Sequence, residues 1–148
     1  MVDIHEKDIT HRRAVAVGKI RFSNEHVVGL IQSNGNKKGD VFSVARVAGI
    51  MGVKRCSDLI PLCHPLQITK VKVELELNAD DNSATCTCQV ECTGKTGVEM
   101  EAMTGVTVAL LTVYDMCKAV DKYMVIDGVR VEHKSGGKSG TFDLSDRK

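Results

Sequence analysis

From Ala102 to Tyr114 the chain carries no charged residue, which sharply limits the folds open to it. Read as a helix, this stretch is apolar or small around most of its circumference, and such helices are covered on more than one side. A chain of 148 residues suits one domain with its own core. A sheet is then the expected cover for one face and a partner subunit for another. Gly105 would let a neighbouring backbone come close.

The sheet is legible as alternation. Between Ile68 and Leu77, Val71, Val73, Leu75 and Leu77 point one way while Lys72, Glu74 and Glu76 point the other. Residues 78–83 form a polar turn, and residues 84–92 return as the next strand of a hairpin. On that return Cys86, Cys88, Val90 and Cys92 share one face, so these cysteines are expected in the core as small hydrophobes. The six cysteines contain no C-x-x-C spacing, and the start of the chain does not read as an export signal. Reduced thiols in a cytoplasmic protein are expected.

Ala14 to Phe22 reads as a first strand. Ser23 or Asn24 can cap a short helix through Val27, Val28, Leu30 and Ile31, which Asn34-Gly35-Asn36 ends. After the basic turn Lys37-Lys38-Gly39-Asp40, Asp40 can cap a second helix with Val44, Val47, Ala48 and Met51 along one stripe. Asp127-Gly128 marks a turn or bulge in the final strand, and residues 134–148 read as a flexible glycine- and lysine-rich tail. With the second helix set aside as an insertion, the order is β-α-β-β-α-β, the ferredoxin-like arrangement. The expected fold is α+β: one domain over residues 1–148, an antiparallel sheet with helices on one face, plus the inserted helix.

Composition removes several functional classes. A net charge of +1 offers no basic surface for nucleic acid, and no apolar run approaches the roughly 18 residues that span a bilayer. Ferredoxin-like RNA binders stack bases on strand aromatics, but this chain has three Phe, two Tyr and no Trp. Gly137-Lys138-Ser139 is no P-loop, because Glu132 stands where that motif needs glycine.

Three clusters break local rules and so invite chemistry. Pro61 and Pro65 frame Leu62-Cys63-His64, fixing backbone geometry around a histidine suited to hydrogen bonding or proton transfer. Gly94-Lys95-Thr96-Gly97 precedes Glu99-Met100-Glu101 at a helix start, where acidic residues also complement the dipole. Asp115 and Lys118, at i and i+3, are the first charges after the uncharged stretch. A carboxylate beside an ammonium at a pocket wall can shift both pKa values towards catalytic use. Lys37, Lys38, Lys54, Arg55, Lys95, Lys134 and Lys138 gather at turns and loop ends, which would suit a polyphosphate.

Longer motifs then carry a resemblance. Lys38-Gly39-Asp40-Val41, Ala48-Gly49-Ile50, residues 57–65 (SDLIPLCHP), 93–102 (TGKTGVEMEA), 114–121 (YDMCKAVD) and 134–140 (KSGGKSG) occur in order. Together they resemble the molybdenum-cofactor biosynthesis protein C family, the cyclic pyranopterin monophosphate synthases. The resemblance implies a lyase that rearranges a 3′,8-cyclised dihydro-GTP into cyclic pyranopterin monophosphate with release of pyrophosphate. It implies catalytic roles for Asp115, Lys118 and Lys38. It also implies substrate contacts from Leu62, Cys63, His64, Met100 and Glu101, completed by Glu99, Lys54 and Lys134. It further implies a hexamer, a trimer of dimers with sites shared between subunits. No resident metal or cofactor is expected, though Mg²⁺ could accompany the substrate phosphates. Tyr123 departs from the pattern, which more usually has glycine there. A non-catalytic domain that senses the same nucleotide is the rival reading.

Overall fold

A computed structural model describes residues 1–147. Its elements run β1 (Thr10–Arg21), α1 (Glu25–Gln32), α2 (Val41–Lys54), the single turn α3 (Cys56–Leu59), β2 (Ile68–Asn78), β3 (Ser83–Gly94), α4 (Glu99–Cys117), β4 (Val125–Gly137) and β5 (Gly140–Asp143). The sheet order is β2-β3-β1-β4-β5, with every neighbouring pair antiparallel. Its first four strands have the ferredoxin-like order, so the α+β expectation holds.

Local chemistry places the elements. Asn24 caps α1 by accepting from the backbone N–H of His26 and Val27, and Asp40 caps α2 by accepting from Ser43. The β2–β3 turn closes through Asn82 in the left-handed region at φ +49°. Gly128, at φ +65°, sits in the register shift opposite Val17 and Lys19, so the expected bulge is present. Cys86, Cys88 and Cys92 are fully buried against α4, and all six cysteines are free.

Helix α4 lies across β1, β3 and β4, and α2 packs along it. A Cβ on Gly49 would lie 2.9 Å from the Gly105 carbonyl oxygen, and one on Gly105 would lie 2.6 Å from Cys88 Sγ. Gly105 therefore serves a close approach inside the chain, where the sequence pointed to a neighbouring subunit. The second cover of α4 is α2, and Leu111 is the large apolar side chain of α4 left most exposed.

Three further expectations are corrected. The crossover helix against α4 and β2 is α2, so the extra helix is the short α1 rather than the second one. The stripe Val44, Val47 and Met51 faces outward, while Val41, Ala45, Gly49, Gly52 and Val53 are buried. Both stripes are apolar, and the one of small residues wins the core because it lets two backbones meet closely. Residues 134–143, expected within a flexible tail, extend β4 and form the β4–β5 hairpin, with Lys134 opposite Phe142 and Gly137 opposite Gly140. Lys148 lies outside the described residues. No described helix is long and apolar enough to cross a membrane.

Candidate active site

Helix α4 carries the chemistry at its two ends. At the C-terminal end, Asp115 Oδ1 accepts from Lys118 Nζ at 2.7 Å and Oδ2 from Lys38 Nζ at 2.9 Å. Lys38 also donates to the Asp115 carbonyl, and Asn36 donates to the Met116 carbonyl, tying the loop before α2 to this helix end. The Lys118 and Lys38 hydrogen bonds depress the Asp115 pKa to about 2, and Asp115 in turn raises that of Lys118. Both groups are shifted, as the carboxylate–ammonium pairing led us to expect, and each in the direction that favours its charged form. Asp115 and Lys118 each favour the other's charged form. A depressed carboxyl makes its attraction available above the ordinary aspartate range and loses it as pH falls through about 2. The trio therefore persists at neutral pH.

Nearby, the motif residue Asp121 is buried and accepts from Ser23 N–H, Ser23 Oγ and Tyr123 N–H. That anchors the chain after α4. Tyr123 itself projects into solvent.

The N-terminal end collects the other residues. Glu99 Oε1 accepts from Lys134 Nζ at 2.7 Å. Burial is the largest influence on Glu99 and opposes its ionisation, but the Lys134 hydrogen bond, a backbone hydrogen bond and the charges of Lys134 and Arg12 together outweigh it, and the pKa falls. Glu101 is only 3% exposed; its Oε1 lies 3.7 Å from Cys63 Sγ and its Oε2 has no partner among the described residues. Burial raises the Glu101 pKa and pushes the Cys63 thiol to about 12. His64 and Leu62 line a groove with Ile4, Lys7 and Thr96, and Met100 stands partly exposed. Lys54 is apart from them, in a shallow cleft with Ile50, Leu66 and Ile68.

Beside Glu99 and Lys134 opens a cavity of about 310 Å³ lined by Lys7, Arg12, Arg13, Thr96 and Lys138, among others. Arg12 is committed to the Gly94 and Asp8 carbonyls. Arg13 reaches Gln89 through Nη2 and keeps a buried Nε without a partner. Sequence reading missed Arg12, Arg13 and Lys7 as site residues. Two consecutive arginines in a strand are a signal, since alternation sends one of them to each face. Such a cationic cavity, open at a helix start, favours a phosphorylated ligand.

A single chain does not unite these ends. Fourteen positions separate Glu101 from Asp115 within the 19-residue α4, about 21 Å along a helix axis. His64 and Glu101 therefore share one cluster, and Asp115, Lys118 and Lys38 form another.

Because Glu101 is a buried carboxylate, its stability effect has a definite sign. A folded pKa raised above the ordinary value favours folding at low pH and withdraws that support as pH rises through it. Glu101→Gln is therefore expected to raise stability at pH 8 by about 1 kcal/mol or more, and by less at pH 5. Thermal melts at the two pH values check this; a variant that melts lower at pH 8 would contradict it.

The sequence is similar to those of known proteins. The MoaC family model matches residues 1–137. A cyclic pyranopterin monophosphate synthase of Dinoroseobacter shibae is 52% identical over 143 residues, covering 97% of this chain and 90% of that protein. One from Clostridium botulinum is 52% identical over 142 residues, covering 96% and 89%. With a family model spanning most of its length and relatives this similar from end to end, the chain belongs to the MoaC family.

Proposed function

We propose that the chain is a cyclic pyranopterin monophosphate synthase of molybdenum-cofactor biosynthesis, as its relatives are named. Its substrate is a 3′,8-cyclised dihydro-GTP, and pyrophosphate is released as the cyclic phosphate closes. The observation that carries this reading is a cationic cavity beside α4 together with a carboxylate holding two ammonium groups.

The rearrangement needs an imidazole ring opened, a pterin ring closed and a hydroxyl attacking phosphorus. Arg13, Lys134, Lys7 and Lys138 suit the triphosphate, with the start of α4 adding its N-terminal dipole. Lys118 and Lys38, both aligned by Asp115, supply fixed positive charge where negative charge develops. Asp115 is too acidic in this setting to be an efficient base near neutrality. Glu101 has the opposite tendency, and in the cation-free site it is the better proton acceptor. His64, Leu62, Cys63 and Met100 frame the ring system and Glu99 orients Lys134, while Lys54, set apart in its own cleft, would join a substrate site only in the assembled oligomer. Turnover requires no resident cofactor, and Mg²⁺ can accompany the substrate phosphates.

Two half-sites about 21 Å apart on one helix make two whole sites when a second copy lies antiparallel to the first across a two-fold axis. The outward stripe Val44, Val47 and Met51, with Leu111, supplies apolar surface for such an interface. We therefore assign the working enzyme as a homo-oligomer, a hexamer built as a trimer of dimers, acting in the cytoplasm.

Incubating the protein with the cyclised GTP intermediate is expected to yield cyclic pyranopterin monophosphate and pyrophosphate, read by chromatography and a phosphate assay. Tight binding with no product would instead favour a nucleotide sensor.

A further inference from the structure

Cys56, Cys63 and Glu101 come together beneath the proline-framed segment. Cys56 opens the single turn α3, whose Ile60 N–H donates to the Cys56 carbonyl. Cys63 N–H then donates to the Ile60 carbonyl, folding the chain back so that the two sulfurs lie 4.0 Å apart. Glu101 reaches them from the first turn of α4, and one ligand atom from each residue lies within 4.8 Å of the other two.

The spacing is that of ligands around an ion. A tetrahedral zinc with Zn–S near 2.3 Å and Zn–O near 2.1 Å puts two sulfurs about 3.8 Å apart, and a sulfur and an oxygen about 3.6 Å apart. The corresponding separations here are 4.0 Å and 3.7 Å. Glu101 supplies an independent sign, because its Oε2 is buried without a hydrogen-bond partner among the described residues. Buried carboxylate oxygens are ordinarily satisfied, and an orphan one calls for an explanation. Thr104 Oγ1 donates to Cys56 Sγ at 3.5 Å, the kind of outer hydrogen bond that supports a ligating thiolate.

We propose that Cys56, Cys63 and Glu101 form a binding site for a thiophilic divalent cation of the zinc class, with a fourth position open to water or another ligand. The spacing Cys56-x₆-Cys63 matches no common zinc signature, which is why composition and motif reading passed over it. A redox pair is the weaker alternative. Burial holds both thiols protonated, so neither offers an oxidant the thiolate it attacks, whereas a cation brings the charge that displaces both protons. Binding would staple the Leu62-Cys63-His64 segment to α4.

The test uses the full chain, reduced with a phosphine and stripped with a chelator, then titrated with Co²⁺ followed by Zn²⁺. Expected are one equivalent of Co²⁺ per chain, an intense thiolate-to-cobalt charge-transfer band, and loss of that band as Zn²⁺ displaces the probe. Cys56→Ala should abolish the band, while Cys86→Ala, which removes a thiol from the sheet core, should keep it. Should Cys56→Ala fail to fold by circular dichroism, Glu101→Gln serves, with Co²⁺ affinity expected to fall at least about tenfold. No saturable band would overturn the proposal, as would wild-type affinity in the folded Cys56→Ala or Glu101→Gln variant. The readout is spectroscopic on substrate-free protein, so this inference and the synthase reading stand or fall separately.

Discussion

Asp115→Asn is expected to lower turnover by about 10²- to 10⁴-fold while leaving the fold and assembly unchanged. The carboxylate lies on the surface of its own chain, so little packing is lost with its charge. What changes is the grip on two ammonium groups. A neutral amide still accepts a hydrogen bond, but it no longer holds Lys118 and Lys38 by charge at one point. Lys118→Ala should fail in the same way. The same variants test the shared site. Asp115→Asn chains damage one end of α4, and Lys134→Ala chains damage the other. Each should be inactive alone. Unfolded together and refolded in equal amounts, they should recover about a quarter of wild-type activity. Half the dimers would be mixed, and each mixed dimer holds one intact site of two. No recovery from a correctly assembled mixture would show that each chain completes its own site, and near-normal rates for Asp115→Asn would remove it from the chemistry.

Gly105→Leu should be the most damaging single change in the core. At the crossing of α2 and α4, a Cβ on residue 105 meets Cys88 Sγ at 2.6 Å and Val53 Cγ2 at 2.8 Å, before any further atoms are added. Replacing a helical glycine gains at most about 1 kcal/mol of helix propensity. Overpacking a tight core costs about 1–3 kcal/mol for a few extra carbons, and here both obstructing groups are themselves buried. Strain wins. A net loss of about 3 kcal/mol or more is expected, lowering the melting temperature by roughly 6–12 °C in a domain of this size. Calorimetry decides it, and a melting temperature within a degree or two of wild type would mean that α2 can move away at little cost. Val47→Ser on the outward face should leave the chain's own fold nearly unchanged, which separates the two stripes of α2.

What could be read from the residues followed what is local. Alternation gave β2 and β3 almost to the residue, and Asn24 and Asp40 marked their helices because a cap is decided within four positions. Helix α2 shows where local rules stop. Val44-Val47-Met51 and Ala45-Gly49-Gly52 are both apolar stripes, and only the partner helix decides which goes inside. The glycine-rich end went unrecognised as a hairpin because Gly136 and Gly140, both at positive φ, look like flexibility when strand pairing is out of view. The candidate site was legible as residue types, since the framed His64, the acidic start of α4 and the Asp115–Lys118 pair are all where the motifs put them. Their separation was not legible as a problem until α4 gave it a length. Cys56 beside Cys63, and Arg13 above the cavity, depend on contacts made only after folding.

The rigid span of α4 has a kinetic meaning. If its two ends serve different sites, a folded chain is an incomplete catalyst, and specific activity becomes a function of how much protein is present. Dilution would then silence the enzyme while every chain kept its native spectrum, and activity would return on concentration without any refolding step.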